Sequence, residues 1–226
     1  MFWKNFKKPH LIAAHRGNRF LYPENTLIAF EHSTNCDFIE FDIQLTKDEE
    51  IVIIHDETPK RTSTFKTDKK INELTLKELK EHNFGNSVYF QKIPTLQEAL
   101  KIIKKPINIE IKSKDMNLEK LLFLIKGKEN KILISSFHHF HLKELKKLNP
   151  KISIALLDEE KRENIFEYLK EFNTNNYNIS KNIATKEYIK YLKNKNINIS
   201  VFTINKKEKI KSLFKLGVKA IFKDKC

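Results

Sequence analysis

The sequence predicts an α/β fold, a TIM (β/α)8 barrel with a short insertion after the strand that ends at His55. Three observations carry that expectation. Short apolar runs alternate with amphipathic helical stretches along the whole chain, the pattern of βα units wrapped around a parallel sheet. One link between two of those runs is too short for a parallel crossover, and setting that arm aside leaves eight strands. Finally, 226 residues, 40% of them hydrophobic and 17 of them Phe, suit one large core, so residues 1–226 are read as a single domain.

In chain order the strands are expected at 11–15, 38–43, 51–55, 107–112, 132–136, 152–156, 176–179, 197–203 and 218–222. Each is a short, mostly β-branched or aromatic run between polar segments. Helices are expected at 24–33, 95–103, 118–126, 140–147, 164–172, 186–193 and 206–216, the first opening after Pro23, a residue suited to a first helical turn. Parallel strands need a crossover of about a dozen residues. The link from Leu45 to Ile51 is shorter, so 44–55 should fold back as an antiparallel hairpin through 46–50. Residues 56–93 then break the rhythm with Thr, Ser and Lys and one short helix at 76–82. A long insertion after a strand that ends in a reactive side chain is where a substrate loop is expected.

The formal charge of +14 raises nucleic acid as a partner, but the composition argues against it. Only four of the 43 basic residues are Arg, and the lysines are scattered on helix faces beside Ile and Asn without a recognition motif. A compositional bias toward Lys, Asn and Ile is the preferred explanation, with attraction of anionic substrates or weak adhesion to an acidic membrane surface as the alternatives. No run approaches the roughly 18 apolar residues of a membrane span, and the first residues lack the apolar core of a signal peptide, so a cytoplasmic setting is expected. Cys36 and Cys226 lie far apart in sequence, which predicts free thiols and a reducing compartment. The oligomeric state is not encoded in any pattern of this kind.

The chemistry concentrates at strand ends. Glu40 and Asp42 are two residues apart in the apolar run 38–43, so they point to one face of a buried strand. Neighbouring buried carboxylates repel unless a cation joins them. Glu110 stands in the same setting within 107–112, sharing a face with Asn108 and Lys112. His15 ends the first strand and is followed by Arg16, whose planar fork suits phosphate oxygens, and Gly17, which permits a sharp turn. His55 ends its own apolar run, and a hairpin centred near Asp48 would set it roughly opposite Asp42. Two imidazoles for proton transfer, hard oxygen ligands for Mg2+ or Ca2+ and two cations for phosphate together suit phosphodiester cleavage.

Read in order, His15-Arg16-Gly17, Pro23-Glu24-Asn25-Thr26, Ile39-Glu40-Phe41-Asp42, Thr46-Lys47-Asp48 and His55-Asp56 resemble the signature of glycerophosphodiester phosphodiesterases. Glu110-Ile111-Lys112, Ser135-Ser136-Phe137, Thr203-Ile204-Asn205 and Gly217-Val218 match later landmarks, so the resemblance spans nearly the whole chain. It implies a TIM barrel that uses one divalent cation to hydrolyse small glycerophosphodiesters to glycerol 3-phosphate and an alcohol. It also implies His15 and His55 as the acid/base pair, Glu40, Asp42 and Glu110 as metal ligands, and Arg16 and Lys112 as phosphate contacts. The family pattern further implies attack by the substrate's own glycerol hydroxyl, giving a cyclic phosphate that water opens. The departures are Phe202 for a usual Trp, the segment Lys219-Ala220-Ile221-Phe222-Lys223-Asp224, and a turn at 47–50 without its customary Gly. Two rival functions share the barrel: lysophospholipase D action on a lipid substrate, and phosphate-ligand binding without catalysis.

Other polar residues have plainer readings. His138, His139 and His141 are expected in a polar strand-to-helix loop, because no carboxylate or Cys ligand lies near them in sequence. Ser135 and Ser136 lack the glycines of a nucleophile elbow and are read as pocket or core residues. Glu24 is assigned first to a helix start, with a contact to the metal shell second. Asp56 either orients His55 or opens the insertion. Arg19, Arg61 and Lys223 are expected on loops facing solvent or phosphate, and Asp224 at the closure of the barrel mouth.

Overall fold

The structure, a computed structural model describing residues 2–226, contains all nine expected strands. They are β1 Leu11–His15, β2 Phe38–Leu45, β3 Ile51–Ile53, β4 Ile107–Ile111, β5 Ile132–Ser136, β6 Ser153–Asp158, β7 Asn176–Ser180, β8 Asn198–Phe202 and β9 Ala220–Lys223. Eight of them pair in parallel, and β1 pairs with both β2 and β9, so the sheet closes into a barrel. The ninth, β3, runs antiparallel to β2 with Ile43 opposite Ile53 and Leu45 opposite Ile51, a register centred on Asp48 as the sequence predicts. The helices are α1 Leu27–Glu31, α2 Leu76–Lys80, α3 Leu96–Ile102, α4 Leu118–Leu124, α5 His139–Leu148, α6 Ile165–Glu171, α7 Lys186–Asn194 and α8 Lys207–Leu216. No described helix is long and apolar enough to cross a membrane.

Strand alternation sorts the apolar side chains into two cores. Residues such as Phe41, Ile109, Ile134, Ile154, Ile179 and Val201 point outward and pack under the helices. Leu11, Ala13, Phe38, Leu133, Ala155, Ala220 and Phe222 fill the barrel interior. A short 3-10 turn, Phe2–Asn5, plugs that interior: Phe2 is fully buried and its N–H donates to Ser153 Oγ at 3.2 Å. The Trp3 indole N–H donates to Asn176 Oδ1 at 2.7 Å. The insertion carries a third core of its own, in which Ile71, Leu74, Leu79, Phe84 and Ile93 pack on Val52 and Ile54 of the hairpin. It is therefore a packed cover on the hairpin rather than an extended loop.

Two expectations are overturned. Helix α1 begins at Leu27 rather than at residue 24, because Thr26 caps it and Asn25 is held at φ +57°, outside helical geometry. Glu24 is thereby freed from the helix start assigned to it. Cys36 and Cys226 are also not free: they form a disulfide with a Cα–Cα distance of 5.4 Å. Barrel closure brings the tail after β9 beside the turn before β2, so a separation of 190 residues in sequence disappears in space. That removes the cysteine argument for a reducing compartment.

Candidate active site

The strand registers build the site. His15 lies beside Glu40, and Asp42 lies beside Glu110 one pleat higher, all at the carboxyl ends of parallel strands where barrel sites form. The hairpin adds His55 from the other side: the Ile54 N–H donates to the Asp42 carbonyl at 3.0 Å. Gln44 fixes that returning arm by donating from Nε2 to the carbonyls of Ile54, His55 and Asp56.

Glu40, Asp42 and Glu110 each present one carboxylate oxygen, and the three atoms lie within 4.8 Å of one another. Ligand oxygens around Mg2+ or Ca2+ stand about 2.0–2.6 Å from the ion, so they can be no more than about 4–5 Å apart. The triad meets that limit. It is also electrostatically unsettled without a cation. Burial, reinforced by Asp42 and Glu110, pushes Glu40 well above the ordinary carboxylate range. Burial pushes Glu110 up to about 7 against the pull of Lys112. Burial would raise Asp42 too, but Lys112, Arg16 and His55 hold it low. Asn25 Nδ2 donates to Asp42 Oδ2 at 2.9 Å, while its own Oδ1 is buried without a hydrogen-bond partner. This set of hard oxygen donors fits a divalent ion. Among the described residues it is the one cluster of His, Cys or acids with that geometry.

The two expected phosphate contacts flank the triad. Arg16, at φ +56°, donates its N–H to Glu40 Oε2 at 3.0 Å, its Nη1 to Glu24 at 2.8 Å, and sets Nε 3.3 Å from Asp42. Lys112 Nζ stands 2.6 Å from Glu110 and 3.8 Å from Asp42. Glu24 accepts from Arg61 as well as Arg16 and lies 3.2 Å from Arg19, so it ties two loops together at the rim. Through Arg16 it adjoins the carboxylates Glu40 and Asp42.

Both histidines are held the same way. His15 Nδ1 is 2.7 Å from Asp224 Oδ1, and His55 Nδ1 is 2.7 Å from Asp56 Oδ1. A carboxylate there fixes the ring and keeps the proton on Nδ1, leaving Nε2 for exchange. Burial would raise Asp224, but hydrogen bonds from His15 and Asn205 bring it down to about 2. Arg61 hydrogen bonds hold Asp56 below the carboxylate range. Burial, helped by Lys112 and Arg16, holds His55 below the ordinary histidine value and so favours its neutral form.

The structure thus brings together His15, His55, Arg16, Lys112, Glu40, Asp42 and Glu110. Sequence reasoning left the roles of Asp56, Arg61 and Asp224 open and missed Gln44; the one available signal was their position next to strand ends. His139 and His141 lie buried on α5 rather than in a polar loop, where His139 Nε2 bonds the Leu157 carbonyl and His141 Nε2 the Ser113 carbonyl. Ser135 accepts from Asn108, and Ser136 donates to the Ile111 carbonyl inside the sheet.

Comparison with known proteins places the chain in a family. Residues 15–226 match the family model described as the glycerophosphoryl diester phosphodiesterase family. A glycerophosphodiester phosphodiesterase of Bacillus altitudinis is 36% identical over 231 residues, covering 94% of each chain. A phosphodiesterase of Oleispira antarctica, solved with the product sn-glycerol-3-phosphate, superposes with a TM-score of 0.89 at 26% identity, covering 95% of this chain and 92% of its own. A glycerophosphodiester phosphodiesterase of Thermotoga maritima gives 0.79 at 28% identity, covering 97% and 96%. On sequence and fold alike, the chain belongs to the glycerophosphoryl diester phosphodiesterase family of enzymes.

Proposed function

We propose that the chain hydrolyses small glycerophosphodiesters to glycerol 3-phosphate and an alcohol, with one domain over 1–226 and residues 56–93 as its substrate-side insertion. The observation that carries the reading is the pair of aspartate-held histidines, His15 and His55, converging on the carboxylates Glu40, Asp42 and Glu110. Those three acids would hold one divalent cation, Mg2+ or Ca2+, which when bound neutralises phosphate charge and polarises the diester.

The chain's own residues do the rest. Arg16 and Lys112 offer cationic edges to phosphate oxygens at the rim of the triad. His55, kept neutral by its surroundings, takes the proton from the substrate's attacking hydroxyl at Nε2. His15 gives a proton to the departing alcohol oxygen, and the two reverse roles when water opens the cyclic phosphate. Asp224 and Asp56 position the rings throughout. A cytoplasmic setting belongs to the same reading and is tested by fractionation.

The test is glycerol 3-phosphate release from glycerophosphocholine and glycerophosphoethanolamine with Mg2+, Ca2+ or EDTA. Wild type is expected to be active with metal, and His15→Ala and Glu40→Gln to be inactive. Release that persists in EDTA, or in Glu40→Gln, would refute the metal role.

A further inference from the structure

The exposed apolar side chains are not spread evenly. Of the nine large hydrophobics that stand most exposed among the described residues, six lie where the strands deliver their loops: Phe20 and Leu21 after β1, Val88 and Phe90 in the insertion, Phe137 and Phe140 after β5. Phe20, Leu21, Val88 and Phe90 are 54–75% exposed. The two loops that carry them touch, since the rings of Tyr22 and Tyr89 lie 5.2 Å apart. The Phe20 N–H donates to the carbonyl of Asp224, so this apolar edge adjoins the segment that holds His15.

Charge accompanies it. Lys225 Nζ sits 4.9 Å from the Phe20 ring centre and Lys92 Nζ 5.0 Å from that of Phe90. Residues 83–92 contain Lys92 and no Asp or Glu, whereas Arg16 and Arg19 are already paired with Glu24, Asp42 and Asp224. On the far wall Phe137 lies under Lys112, 5.6 Å from its Nζ. Soluble surfaces scatter single hydrophobics; a rim that gathers aromatic rings with lysines around a reactive opening matches the boundary of a lipid surface, where rings enter the headgroup layer and lysines meet lipid phosphate.

We propose that this rim docks the barrel mouth onto an anionic phospholipid surface, with Phe20, Leu21, Val88 and Phe90 entering the headgroup layer and Lys92 and Lys225 contacting lipid phosphates. The net charge of +14 supplies the complementary long-range attraction. Docked in this way, the site faces the membrane and takes glycerophosphodiesters at its surface. The docking does not depend on the proposed catalytic chemistry.

The test is co-sedimentation of the full chain with phosphatidylglycerol vesicles and with phosphatidylcholine vesicles, without metal so that no turnover intervenes. The variants are Phe20→Ser/Leu21→Ser, Val88→Ser/Phe90→Ser, and Phe123→Ser, whose ring is 75% exposed on α4 away from the mouth. Because all these side chains are exposed, folding should survive, and circular dichroism checks it. Binding to phosphatidylglycerol that falls about tenfold or more in either double variant, and is unchanged in Phe123→Ser, is the expected result. No binding to phosphatidylglycerol, or binding that salt abolishes and the double variants leave intact, overturns the proposal. So does a dimer in solution that the double variants disperse while wild type ignores vesicles.

Discussion

The two histidines of the site are held alike but built differently. His15 meets an aspartate 209 residues away, across the seam where the last strand joins the first. His55 meets its own neighbour, Asp56, on a hairpin arm steadied by Gln44 and gripped from the insertion by Arg61. One pair therefore forms only when the barrel closes, whereas the other is local to the hairpin arm and braced by the insertion. The same imidazole–carboxylate geometry reports on two separate parts of the fold.

Removing either ring should have the largest effect. His15→Ala and His55→Ala are each expected to lower kcat for glycerophosphocholine about 10²–10⁴-fold while leaving metal binding in place, measured by calorimetry. Similar losses in the two would show that neither residue is an accessory. A variant that keeps near-normal kcat would remove that histidine from the proton-transfer scheme.

Removing the aspartates should separate the two halves. Asp224→Asn and Asp56→Asn are each expected to cost about 10–100-fold in kcat with little change in KM, since they position rather than bind. Thermal melting should then divide them. Asp224 also accepts from Asn205 and donates its own N–H back to Asn205, so its loss weakens the seam and lowers Tm. Asp56→Asn leaves Arg61 bound to Glu24 and should melt near wild type. Equal Tm losses would show that the pairs are not structurally independent.

The smallest expected effect is the response to acid. The ordinary value for Asp224 is 3.8 and its folded value is about 2, while Glu24 falls from 4.5 to about 2. The unfolded chain thus binds more protons than the folded one across that window, so stability rises with pH through it. The contribution is complete above about pH 4.5 and is lost as pH falls toward 2. Urea melts between pH 2 and 5 should show a shallower slope for Asp224→Asn and Glu24→Gln than for wild type. An unchanged slope would mean that neither carboxylate is held low in the fold.

What the sequence made legible was local. Alternating apolar runs gave every strand, the short link at 45–51 gave the hairpin and its register, and the i, i+2 spacing of Glu40 and Asp42 set both on one buried face. Glu110 and Lys112 followed from the same period of two. The partners that depend on closure were less accessible, because no periodicity links residue 15 to 224 or residue 36 to 226. Glu24 was misplaced for a finer reason: Pro23 does mark a helix approach, but the left-handed turn at Asn25 delays α1 and aims the acid at Arg16. The aromatic residues Phe2, Trp3 and Phe6 ahead of β1 were a signal of the plug that went unused.

That plug, with the side chains packed above it, closes the barrel at the end away from the site. With Phe2 sealing the floor, the diester, alcohol, water and glycerol 3-phosphate of the proposed reaction would all share the one end bordered by the hairpin and the loops. On the two-stage reading proposed above, the alcohol would have to clear that opening before water took its place, so a bulky headgroup would delay the second stage more than the first.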